Sequence, residues 1–132
     1  MIFVDTSVFV AGVARRDARH DEALELVRRH GSAGLVTSNH VRGETWTFLN
    51  RRYGHGVAVG FLDMLERTRY VQVMPVDGDL EAQALRWLRR HDEREYSFVD
   101  ATSFELMRSL RASQALTFDV DFDAAGFVTL RV

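Results

Sequence analysis

Met1-Ile2-Phe3-Val4-Asp5-Thr6-Ser7 opens the chain, an apolar run that stops at an acid followed by two hydroxyls. Four apolar residues are too few for a core helix and suit a buried strand. Asp5 then stands at the strand's carboxyl end, and Thr6 or Ser7 can cap a short helix toward Gly12. Ala115-Leu116-Thr117-Phe118-Asp119 repeats the pattern near the other end of the chain. Residues 35–37, 70–74 and 127–130 add three more short apolar runs, the middle one closed by Pro75, the only proline. Between them run helical periodicities. A helix over residues 17–31 has Ala23, Leu24 and Val27 inward. Another starts at Ser38 or Asn39 and reaches about Arg52, with Val41, Thr45, Phe48 and Leu49 inward. Val57, Phe61, Met64 and Leu65 mark a third, Leu80, Ala84, Trp87 and Leu88 a fourth, and Asp100 opens a fifth. Tyr53-Gly54-His55-Gly56 and residues 91–95 read as loops. Strands alternating with helices predict an α/β fold, a mostly parallel five-stranded sheet with helices on both faces. Right-handed crossovers make the first and fourth strands neighbours at a switch point, bringing Asp5 to Asp119.

Two more acids are out of place. Glu44 lies three residues after Val41, on the inward stripe of its helix, and Asp100 shares a face with Phe104 and Met107, whereas Glu105 can point to solvent. Singly, each acid reads as an ordinary cap or surface charge. Gathered at one edge, two carboxylates about 4 Å apart would repel by roughly 4 kcal/mol at an effective dielectric near 20. Protonation or a cation relieves this, and carboxylates with water select Mg²⁺ or Mn²⁺. Asp5, Glu44, Asp100 and Asp119 are therefore the candidate catalytic acids.

Composition narrows the alternatives. With 132 residues and 46% hydrophobic content, the chain suits one domain over residues 1–132. It has no cysteine, which excludes disulfides and thiolate metal sites, and His20, His30, His40, His55 and His91 show no paired zinc spacing. All 17 basic residues are arginine, so the lysine of a receiver-type phosphotransfer site is missing. Asp5-Thr6-Ser7 lacks the second acid of a haloacid-dehalogenase opening, and no serine has a Gly-x-Ser-x-Gly frame. The net charge of −2 does not favour nucleic acid. Arginine forks nonetheless pair bidentately with phosphate, so Arg15-Arg16, Arg51-Arg52 and Arg86/Arg89-Arg90 with Arg94 could form basic rims around an acidic centre, and Arg15, Arg16, Arg51 and Arg52 are the RNA-binding candidates. The aromatic residues, Trp46 and Trp87 among them, read as core. No apolar run is long enough to span a bilayer, so a soluble, cytoplasmic protein is expected.

Four segments in this order resemble the PIN-domain family, and more narrowly the VapC-type toxin ribonucleases of prokaryotic toxin–antitoxin modules. They are Val4-Asp5-Thr6-Ser7, Val41-x-x-Glu44, Ser97-Phe98-Val99-Asp100-Ala101, and Leu116-Thr117-Phe118-Asp119 with Asp121-Phe122. The resemblance implies a three-layer α/β/α fold and Mg²⁺- or Mn²⁺-dependent endonucleolytic cleavage of RNA. It assigns Asp5, Glu44, Asp100 and Asp119 to the acidic quartet, Thr6 and Thr117 to polar support, and metal ligation to Asp5, Asp100, Asp119 and Asp121. It further implies a homodimer and an antitoxin protein that buries the acidic pocket, with residues 57–65 a candidate contact. A non-toxin PIN nuclease of RNA processing and a catalytically silent RNA- or protein-binding module are the alternatives, and one or two ions are both compatible. Asp119, Asp121 and Asp123 alternate, so a continuing strand would aim all three at the ion. We expect instead that the strand ends near Phe118, with Asp119 in the site, Asp121 auxiliary on the turn, Phe122 anchoring it and Asp123 capping.

Overall fold

Strand β1 (Ile2–Val4) is the middle of a five-stranded sheet in the computed structural model, which describes residues 1–132. All three of its residues are buried, as a strand covered on both faces requires. The other strands are β2 (Leu35–Ser38), β3 (Val71–Met74), β4 (Gln114–Leu116) and β5 (Val128–Thr129), in the order β3-β2-β1-β4-β5. Every pairing is parallel, so the sheet is wholly rather than mostly so.

Helices α1 (Thr6–Val13) and α2 (His20–His30) connect β1 to β2, and α3 (Asn39–Tyr53) and α4 (His55–Arg67) connect β2 to β3. Helices α5 (Gly78–Arg90) and α6 (Phe98–Leu110) lead back to β4, and α7 (Asp121–Ala124) is one turn before β5. The steps from β1 to β3 and the return to β4 run in opposite directions, so right-handed crossovers put α1–α4 and α5–α6 on opposite faces. The core follows this division: Phe9 meets Phe61 edge-on at 5.4 Å on one side, while Phe104 meets Trp87, Phe122 and Phe127 on the other. The result is the expected α/β/α arrangement. Its switch point falls between β1 and β4, where Val4 pairs with Leu116 and the Asp5 amide donates to the Leu116 carbonyl at 3.1 Å.

Local chemistry sets the boundaries. Ser38 caps α3 by accepting from the Val41 amide, Asp77 caps α5 through Leu80, and Ser97 with Asp100 closes a reciprocal capping box on α6. Neither Thr6 nor Ser7 caps α1. Asp5 occupies that position without a side-chain capping bond, and both hydroxyls turn toward carboxylates instead. The expected loop at residues 53–56 shrinks to Gly54, whose φ of +99° alone breaks α3 from α4. In α2, Ala23 is buried as expected and packs beside Gly12 of α1, but Leu26 is buried in place of Leu24, which is exposed. Strand β4 stops at Leu116, and Phe122 on α7 is fully buried against Phe3, Phe104 and Phe127.

Phe122 is the only buried residue of α7, so it anchors the turn that carries Asp119 and Asp121. Phe122→Ala should cost roughly 3–5 kcal/mol of stability, read as a lowered denaturation midpoint with unchanged m-value. An undiminished midpoint would show that the turn has another anchor.

Candidate active site

The carboxyl ends of β1 and β4 and the first turn of α6 meet in a cleft of about 800 Å³ lined by Asp5, Glu44, Asp100, Asp119 and Asp121. Carboxylate oxygens of Asp100, Asp119 and Asp121 all lie within 4.8 Å of one another. Asp5 is held beside them by two hydroxyls: Thr117 Oγ1 donates to its Oδ2 at 2.9 Å and Ser7 Oγ at 3.0 Å. These hydroxyls also lock the far wall, since Thr117 Oγ1 accepts the Asp119 amide and Ser7 Oγ the Phe118 amide. Asp119 Oδ1 accepts the Asp121 amide at 2.9 Å, which bends the chain into α7 directly after β4. Asp123 faces away and accepts from Thr129, so the three alternating acids do not share one face.

Glu44 enters from the opposite wall, where Thr6 Oγ1 donates to its Oε1 at 2.6 Å. Its placement differs from the periodicity reading. The buried stripe of α3 is Val41, Thr45 and Leu49, and Glu44 and Phe48 lie on the adjacent stripe, exposed to the cleft. One buried seam is all α3 needs against its neighbours, so the next face is free to border the site.

Burial pushes Asp5 up to about 6, with the Asp119 charge adding to it against the hydroxyl donors. Burial likewise raises Asp100 to about 7, reinforced by Asp119, Asp5 and Asp121 and opposed by the Ser97 amide. Asp119 is raised by burial and by Asp121. Among these acids only Asp121 is paired with a cation of the protein: Arg94 Nε donates to Asp121 Oδ1 at 2.6 Å. An all-oxygen donor set with no histidine or cysteine lining the cleft fits a hard divalent cation such as Mg²⁺ or Mn²⁺.

Arg94, expected only as one of an arginine cluster able to rim an acidic centre, reaches the site from a hydrophilic loop, while its specific pairing with Asp121 was not anticipated. That loop is pinned: His91 stacks on Trp87 at 4.1 Å, and Tyr96 meets Trp87 and Phe104 edge-on at 4.7 and 5.9 Å. Ser7, Arg19 and Phe48 also line the cleft unanticipated, and only Ser7 carried a signal, its place beside Asp5-Thr6. Of the candidate rim arginines, Arg16 and Arg52 line the cleft, Arg51 lines a groove beside it, and Arg15 lines neither.

A parallel sheet with acids gathered at its switch point defines a nuclease-like α/β class, and the family model described as PIN domain matches residues 2–128. The chain belongs to the PIN-domain family. It is 53% identical over 131 residues, 99% of this chain and 98% of the relative, to the 23S rRNA-specific endonuclease VapC20 of Mycobacterium tuberculosis. The crystal structure of that protein, described as a sarcin–ricin loop cleaving toxin, superposes with a TM-score of 0.93 at 52% identity, covering both chains fully. VapBC2 from Rickettsia felis, bound to a promoter DNA fragment, shares the fold at a TM-score of 0.74 and 12% identity, over 98% of both chains.

Asp5 and Asp100 bind protons more tightly in the folded than in the unfolded chain, so between about pH 4 and 7 the folded state holds the extra protons. Stability of the metal-free protein must then fall as pH rises through that window. In EDTA the melting temperature should be higher at pH 5 than at pH 8, and Asp100→Asn should raise it at pH 8 and flatten the slope. A wild-type melting temperature that climbs from pH 5 to 8 would contradict these shifts.

Proposed function

We propose that this chain is a metal-dependent endoribonuclease, the toxin of a toxin–antitoxin pair, acting in the cytoplasm as a single PIN domain on 23S rRNA at the sarcin–ricin loop. The substrate is taken from the near-full-length relative of 53% identity. The observation that carries the chemistry is the convergence of Asp100, Asp119 and Asp121 within 4.8 Å, beside a buried Asp5. Binding alone gains nothing from such repulsion, which is why the catalytic reading is preferred to a silent module.

In this reading Asp5, Asp100, Asp119 and Asp121 hold the cation. When bound, it offsets charge building on the scissile phosphate and makes water a stronger acid at neutral pH. Glu44, steadied by Thr6, faces the same space and orients the attacking water. Thr117 and Ser7 fix the Asp5 carboxylate, so the ligand geometry is set before RNA arrives. Arg94 holds Asp121, and Arg16, Arg19 and Arg52 around the mouth pair with backbone phosphates. Asp5 accepts two hydroxyl bonds and Asp100 the Ser97 amide, so both remain oriented as ligands whether or not the cation is present. An antitoxin with a basic side chain suits the acidic pocket, and a homodimer follows from the same resemblance. For the antitoxin contact at residues 57–65, Ala58, Phe61 and Leu65 are buried in the core, which leaves the half-buried Val57, Val59, Leu62 and Met64.

The test is cleavage of ribosomes or 23S rRNA by purified protein. Mg²⁺ or Mn²⁺ should be required, and Asp5→Asn, Asp100→Asn and Glu44→Gln should each lower turnover by at least about 100-fold, the scale of lost electrostatic groups. Glu105→Gln, where Glu105 pairs only with Arg108, should leave turnover unchanged. Asp119→Asn should lose the most of its segment, Asp121→Asn less and Asp123→Asn little. Cleavage that survives exhaustive EDTA would refute the metal assignment, and no cleavage of any RNA would favour the silent module.

Removing Arg16 and Arg52 together should weaken RNA binding and lower the slope of log affinity against log salt by roughly 1–2. An unchanged slope would take both arginines off the phosphate path.

A further inference from the structure

Beside the cleft lies a second groove of about 830 Å³ between the start of α6 and one face of α3. It is continuous with the acidic cleft, since Glu44, Phe48 and Arg52 line both. Its α3 wall is built from His40, Glu44, Phe48 and Arg52, four residues at successive i, i+4 positions and therefore on one stripe. Twelve residues of helix span about 18 Å, enough to follow several nucleotides of extended chain.

The aromatic residues of this groove are not core. Phe48 is 48% exposed and Phe98 is 39% exposed, although phenylalanine with a buried alternative rarely faces water. Phe98 is held by its neighbours. It is the first residue of α6, inside the Ser97–Asp100 capping box, and its ring lies 5.6 Å from His40 at 31°. His40 is steadied in turn by Thr102 at 3.3 Å. Each ring is also tied in sequence to an acid of the site: Phe48 is one turn beyond Glu44, and Phe98 stands two residues before Asp100. The charged residues of the groove are Arg51, Arg52 and the single acid Glu44 at the boundary with the cleft. That balance suits a polyanion with flat apolar faces better than a peptide.

We propose that this groove is the base-binding track of the nuclease, in which unpaired bases flanking the scissile phosphate stack on Phe98 and Phe48 while Arg51 and Arg52 hold the phosphates between them. The inference rests on the RNA-cleaving reading of the adjacent cleft and adds where the rest of the RNA lies and what it must look like. Stacking platforms accept only splayed-out nucleotides, so the track selects loops and bulges over continuous duplex.

The test uses the full chain and an RNA stem-loop that the wild type cleaves in Mg²⁺. Phe48→Leu and Phe98→Leu keep the apolar volume and remove the ring. Each should raise KM about tenfold, the scale of one lost base stack, with kcat nearly unchanged. Phe98→Tyr should restore the wild-type KM, and Leu85→Ala, at an exposed apolar residue of α5, should leave it unaltered. An abasic nucleotide next to the cleaved phosphate should raise KM for the wild type and add little in the leucine variants. Unchanged KM in both leucine variants, with the fold verified by circular dichroism, would overturn the proposal. So would a change in sedimenting mass, which would make the groove an interface between copies, or a loss of antitoxin affinity with KM intact. A wild type that cleaves no RNA would fail the cleft's reading itself, and that result is visible before any variant is made.

Discussion

Repulsion among carboxylates held at one sheet edge is the constraint that organises this molecule. Asp5, Asp100, Asp119 and Asp121 come from a strand end, a helix start and a tight turn, and each is tethered by a hydrogen bond to a group other than a carboxylate oxygen or by an arginine. Water solvates such charges far better than a partly buried cleft does, which is why Asp5 and Asp100 rise to about 6 and about 7. The fold tolerates the cost because the aromatic core below is continuous, with Phe104 touching Trp87, Phe122 and Phe127. Stability is invested under the site so that strain can be kept within it.

The tethers show how a small fold positions acids without a dedicated scaffold. Thr117 both donates to Asp5 and accepts from the Asp119 amide, joining two strand ends through one hydroxyl. Arg94 reaches Asp121 from a loop whose other side is stacked on Trp87, so a surface arginine acts with the rigidity of a core residue. Exposed salt bridges usually contribute little. This one matters for placement more than for stability.

Strand positions and their terminal acids were legible in the sequence because an acid after a β-rich apolar run has few structural excuses. The adjacency of the first and fourth strands was legible too, through handedness, and with it the meeting of Asp5 and Asp119, but the order of the remaining strands was not. Helix phase was not. Glu44 and Phe48 looked inward beside Val41 and Leu49, and the choice between two adjacent stripes depends on how closely neighbouring helices approach, which periodicity does not encode. The same limit exchanged Leu24 for Leu26 in α2. Arg94 was legible only as one of an arginine cluster: its pairing with Asp121 comes from a loop conformation fixed by aromatic contacts between elements, as with Tyr96 on Phe104. Ser7 lies between these cases, close to a recognisable acid but bonded across 111 positions to Phe118.

The capping box on α6 carries an evolutionary consequence. Asp100 accepts the Ser97 amide at 3.0 Å, so one carboxylate both starts a helix and faces the acid cluster. An asparagine there would still offer a carbonyl oxygen to the same amide, at no loss of the helix start. The helix would form, the core would close, and only the charge would vanish. On the proposed metal-binding role of Asp100, catalytic silence is thus a single nucleotide change away, since aspartate and asparagine codons are neighbours, and selection on folding would not oppose it. A lineage of this fold can lose its chemistry and keep its shape, so inactive descendants should arise readily wherever the binding surface remains useful.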